Sequence, residues 1–80
     1  MRKELKKVTH VSGVKQAVRA VKRGEAKRVF IALDADPMML ETLRALCEER
    51  NIPVEEVSSM RALGTACGLD VGAAAAAEIG

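Results

Sequence analysis

The sequence predicts an α/β sandwich, one sheet with helices on both of its faces, built as a single domain. Three observations carry that prediction. The chain has 80 residues, enough for one small core. It is 49% apolar and 30% charged, a balance that suits a folded soluble chain and excludes a disordered one. Apolar stripes of helical period alternate along it with short apolar runs of strand length, the pattern of helices interleaved with strands.

Taken in order, residues 2–7 read as a short, frayed helix with Leu5 as its one sizeable anchor. Val8-Thr9-His10-Val11 is rich in β-branched residues and reads as a short strand, with the turn Ser12-Gly13 at its end. Val14, Ala17, Val18 and Val21 then fall at i, i+3, i+4 and i+7, the stripe by which a helix buries one face. Ser12 or Gly13 caps this helix, and Gly24 stands where a left-handed residue would end it. Lys15, Gln16, Arg19, Lys22 and Arg23 take the wet positions.

Val29-Phe30-Ile31-Ala32-Leu33 is an unbroken apolar run bounded by charge, as expected of a strand buried on both faces. Asp36-Pro37 marks a helix start, Asp36 as the cap and Pro37 at the first position, where its missing N–H costs nothing. Met39, Leu40, Leu43, Leu46 and Cys47 form the inward stripe of that helix, which runs to about Arg50 and stops at Asn51. Met38 and Met39 are expected in the core. A shorter strand follows over residues 52–57, with Pro53 near its beginning or on an edge. Ser58 or Ser59 then caps a short helix that turns Met60, Leu63 and Cys67 inward. Residues 68–72 are a loop. The alanine run after it is helical by intrinsic propensity, yet it is short and terminal, and a strand is the alternative if the core requires small side chains.

The net charge of +2 conceals an asymmetry. Residues 1–28 carry ten lysines and arginines against Glu4 and Glu25, a net of +8, while residues 29–80 carry three against nine acids, a net of −6. Such a split suggests one side facing a polyanion and one side solvating the molecule. The helix beginning near Ser12 points free N–H groups and the positive end of its dipole outward beside Lys15 and Gln16, an arrangement able to grip phosphates and base edges. On that segment alone, a solvated basic face is the simpler reading. Phe30 is the single aromatic residue, so stacking of single-stranded bases on aromatic platforms is excluded. An RNA partner would be structured, read by charge, groove edges and shape.

Other chemistries find little support. No apolar run reaches the roughly 18 residues of a membrane span. The basic N-terminus is followed by no apolar signal segment, so the cytoplasm is the default expectation. Cys47 and Cys67 lack metal-ligand spacing and read as reduced, buried, small apolar residues. His10, the one histidine, has no ligand or nucleophile pattern around it and reads as structural. Asp34 and Asp36 form an Asp-x-Asp pair that would suit a divalent cation, but strand-end and cap roles explain both. No phosphate-cradling glycine loop is present, and Gly64-Thr65-Ala66-Cys67-Gly68 reads as close packing and a helix end. No cofactor is expected.

Three segments stand in the order and spacing of one family: Gly13-Val14-Lys15-Gln16-Ala17-Val18-Arg19, then Ile31-Ala32-Leu33-Asp34-Ala35-Asp36-Pro37, then the stretch from Leu63-Gly64-Thr65 through Gly68-Leu69-Asp70-Val71-Gly72 to Ala75. Together they resemble the kink-turn RNA-binding ribosomal proteins, the archaeal-type L-seven-Ae and L-thirty-e group, and especially its short bacterial members. The likeness covers nearly the whole chain from about Val8 to Ile79. It implies a three-layer α/β/α sandwich with a mixed, about four-stranded sheet, and makes residues 73–79 a strand against their propensity. It also implies a non-enzymatic protein that binds sharply bent RNA helices at a bulge beside tandem sheared G·A pairs, in ribosomal RNA, a riboswitch or another non-coding RNA.

Carried over by position, Gly13, Lys15, Gln16 and Arg19 would lie against the G·A pairs and adjoining phosphates. Lys22 would add charge on the same helix. Leu69, Asp70 and Val71 would cover the flipped-out nucleotide. Archaeal and eukaryotic members carry Asn-Glu where this chain has Lys15-Gln16; Gln keeps an acceptor for a guanine N–H, and Lys supplies charge instead of paired hydrogen bonds. The chain is expected to work as a monomer, away from membranes, on the ribosome or another structured RNA. Two rivals stand beside this reading: a protein–protein adaptor using the acidic second half, and a small metal-dependent enzyme using Asp34 and Asp36.

Overall fold

The computed structural model describes residues 9–80; the helix expected over residues 2–7 lies outside them. The elements run β1 (His10–Ser12), α1 (Val14–Lys22), β2 (Ala26–Ala32), α2 (Pro37–Glu49), β3 (Val54–Val57), α3 (Met60–Ala66) and β4 (Ala75–Ile79). Among the described residues they form one mixed four-stranded sheet in the order β1-β4-β2-β3. β4 pairs antiparallel with both β1 and β2, and β2 pairs parallel with β3. The expected three-layer sandwich is the fold.

The final segment is decided by its place in that sheet. β4 is an inner strand, and Ala75, Ala76 and Ala77 are fully buried, directly beside Ile31, Phe30 and Val29 of β2. Consecutive burial along β2 and β4 means that both sheet faces are covered. Alanines in β4 let the covering layers come close, while Phe30, Ile31 and Val29 next to them fill the space.

β2 begins three residues before the expected apolar run, and Leu33 falls beyond its end. Leu33 is exposed, because its strand has already finished and the chain is turning toward α2. The stripe of α1 is wider than the sequence spacing indicated: Ala17, Ala20 and Val21 are buried, and Val14 and Val18 pack beside them.

The helix ends follow local rules. Gly13 opens α1 at φ 101° and ψ 151°, a conformation that glycine alone adopts without strain. Gly24 closes the helix at φ 74°. Asp36 caps α2, its Oδ1 accepting from the Met38 N–H at 2.9 Å. Ser59 caps α3, its Oγ accepting from the Ala62 N–H at 3.0 Å. Asp34 has a role the sequence did not disclose: its Oδ1 accepts from the Met60 N–H at 2.7 Å, which ties the end of β2 to the start of α3.

The two methionines at the start of α2 correct the sequence reading. Met38 is 76% exposed and Met39 53%. The inward stripe of α2 is Leu40, Leu43 and Cys47; at 100° per residue Met39 sits on its flank and Met38 on the far side. Cys47 and Cys67 are free and buried, as expected.

Candidate nucleic-acid interface

The sheet order brings together two segments that are far apart in sequence. β1 lies beside β4, and the Gly13 N–H donates to the Ala75 carbonyl at 2.8 Å. The first turn of α1 therefore stands next to the loop that enters β4. Between them runs an open groove of about 540 Å³. Ser12, Gly13, Lys15 and Gln16 form one side, Leu69, Gly72 and Ala73 the other, and Met39 and Met60 also line it.

The α1 side is a donor edge. No side chain caps the helix, so its first-turn N–H groups and positive dipole end have no side-chain acceptor beside Lys15 and Gln16, which line the groove. Gly13 has open space where a side chain would project, leaving the backbone approachable. Arg19, Lys22 and Arg23 continue the exposed basic face along the helix.

The loop side is held by backbone bonds at both ends. The Leu69 N–H donates to the Gly64 carbonyl at 2.9 Å, and the Ala73 N–H donates to the Met60 carbonyl at 2.9 Å. Gly64 is buried, and a Cβ there would collide with the Val71 carbonyl oxygen. The missing side chain is what lets the loop lie against α3. Leu69, Asp70 and Val71 are exposed as a result.

Of the residues singled out in the sequence, Gly13, Lys15, Gln16 and Leu69 meet in the groove. Arg19 and Lys22 lie further along α1, and Asp70 and Val71 lie in the loop without lining the groove. Met39 and Met60 are the residues that sequence reasoning missed. The available signal was α2's helical wheel, on which Met39 falls beside the Leu40–Leu43–Cys47 stripe. Asp34 and Asp36, the candidate cation pair, are both engaged by backbone N–H groups as structural acceptors. No group of three or more potential metal-ligating side chains occurs among the described residues.

Compared with known families, residues 1–80 match the profile of the ribosomal protein L7Ae/L30e/S12e/Gadd45 family along their whole length. The chain belongs to this family. Among its relatives, the RNA-binding protein YbxF of Geobacillus stearothermophilus is 51% identical over 67 residues, 84% of this chain and 82% of the relative. The RNA-binding protein GWCH70_0105 of Geobacillus sp. (strain WCH70) is 49% identical over 69 residues, 86% of this chain and 84% of the relative. Both are named for RNA binding, not for a reaction.

The solved structure of the Giardia lamblia 15.5kD RNA binding protein superposes with a TM-score of 0.83 at 35% identity, covering 89% of this chain. The chain spans only 60% of that protein. Among the described residues, no helix is long and apolar enough to cross a membrane.

Proposed function

We propose that this chain is a non-enzymatic RNA-binding module that grips a kink-turn, a helix bent at a short bulge beside tandem sheared G·A pairs. The observation that carries the reading is the groove itself. It sets an uncapped helix start with Gly13, Lys15 and Gln16 opposite an apolar loop residue, Leu69. Lys15, Arg19 and Lys22 would neutralise phosphates, Gln16 would meet guanine edges, and Leu69, Asp70 and Val71 would shelter the extruded nucleotide. Affinity would come from charge, and specificity from bent shape and base edges.

Family membership and the names of the relatives support RNA as the partner. The natural target in this reading is ribosomal, riboswitch or other non-coding RNA in the cytoplasm, bound by a monomer. Titration with a kink-turn RNA and with a straight duplex of matched length and charge tests it. Tighter binding of the bent RNA is expected; equal affinity for the two overturns it.

A further inference from the structure

Arg50 stands within the acidic part of the sequence, residues 29–80, yet the fold carries it to the basic helix. It is the C-cap residue of α2. Its Nη1 donates to the Lys22 carbonyl at 3.2 Å and to the Val21 carbonyl at 3.4 Å. The guanidinium is thus anchored by one nitrogen on the C-terminal carbonyls of α1, where helix geometry leaves acceptors open and the dipole favours a cation. A guanidinium carries five N–H donors, so the anchoring leaves its other donors available. The turn that follows holds the residue in place, with Asn51 at φ 59° and the Arg50 N–H bonded to the Leu46 carbonyl at 3.0 Å.

The cluster's own charges are basic, with acids at its border. The ion pairs between described residues engage Arg28 with Glu55 and Arg44 with Glu56. Lys22, Arg23 and Arg50 are exposed and have no carboxylate partner among the described residues. Glu25, Glu48 and Glu49 border the cluster in sequence, and no ion pair joins them to it among the described residues. Seven residues separate Lys15 from Lys22, roughly 10 Å along a helix. The cluster therefore lies about that far from the groove, at the opposite end of α1.

We infer that Arg50, with Lys22 and Arg23, forms a second phosphate-binding surface that takes the backbone of an RNA arm beyond the bend. The inference rests on the RNA-binding reading above and extends it to a second helix. The groove would read the bend; this cluster would read only the sugar–phosphate chain of the duplex continuing from it. The fixed guanidinium adds to the contact by starting from an ordered position.

Two variants separate charge from anchoring. Arg50→Gln keeps a donor for the α1 carbonyls and removes the charge; Arg50→Lys keeps the charge. Binding of each is measured across a salt series with two kink-turn RNAs, one with arms cut short at the bend and one with long arms, alongside thermal unfolding. On the long-armed RNA, Arg50→Gln should lower the slope of log affinity against log salt by about 0.7–0.9 and weaken binding several-fold. Arg50→Lys should hold the wild-type slope, and on the short-armed RNA all three proteins should share one slope. An unchanged slope for Arg50→Gln on the long-armed RNA, with wild-type preference for the bend intact, makes Arg50 a helix anchor only and overturns the inference. Wild-type protein that binds bent and straight RNA equally overturns the kink-turn reading, and the second surface with it.

Discussion

Gln16 and Leu69 line the same groove from different ends of the chain, and their substitution separates recognition from attraction. Gln16→Ala removes a group proposed to meet guanine edges and should cost roughly 1–3 kcal/mol on the kink-turn, by comparison with base contacts elsewhere. Its effect on straight duplex should be close to nil. Lys22→Ala should instead weaken both RNAs alike and flatten their salt dependence. Leu69→Ala should again fall on the kink-turn alone. Parallel titrations of the two RNAs decide the point; if neither Gln16→Ala nor Leu69→Ala changes the ratio of affinities, only a generic basic surface remains. A different residue-scale effect concerns Cys47, whose thiol is pushed above its ordinary value of 9.0 by burial. The folded state therefore holds its proton more firmly than the unfolded chain. That stabilising preference is fully present below the unfolded value and is lost as pH rises through the folded one. Unfolding midpoints should fall as pH rises past 9.0, and Cys47→Ala should shrink the decrease.

At the scale of elements, the loop into β4 and the ends of α2 and α3 position the site. Gly64→Ala should force the Val71 carbonyl away from α3, costing about 1–3 kcal/mol as overpacking. It should also displace Leu69, so that kink-turn affinity suffers more than duplex affinity. Calorimetry and the paired titration read the two effects. Asp36→Ala should cost on the order of 1 kcal/mol by removing the cap of α2, with specificity for bent RNA unchanged once the protein is folded. β4 itself offers a sharper test. Ala76 is fully buried beside Phe30, so Ala76→Leu should destabilise by about 1–3 kcal/mol, an outcome that chemical denaturation would measure. A terminal helix fraying into solvent would absorb the same change with little loss.

For the whole molecule, the candidate groove exists because a mixed sheet brings β1 beside β4. The segments at 13–19 and 69–75 each carry part of the groove, and only the β1–β4 pairing makes them neighbours. RNA binding should therefore be lost with global unfolding in one step. The charge asymmetry legible in the sequence is redistributed by the same fold. Arg44 is neutralised against Glu56, while Arg50 joins α1. The basic face consequently spans two helices, although sequence position assigned it to one.

The sequence by itself determined the local features: the capping of α2 by Asp36, a serine cap for α3 at 58 or 59, the left-handed glycine after α1, the wet face of α1, the buried core of β2 and the reduced cysteines. Each depends on residues within a turn or a strand of one another, where spacing, propensity and backbone geometry act directly. Tertiary structure decided the rest. Alanines that favour a helix in isolation become a strand because the place between β1 and β2 needs small side chains and offers hydrogen bonds on both edges. Met39 leaves the core because the helix stripe is narrower than its apolar residues allow. Asp34 and Arg50 find backbone partners 26 and 28 residues away, and no local rule reaches that far. Burial and long-range pairing are properties of the assembled layers, which individual segments do not contain.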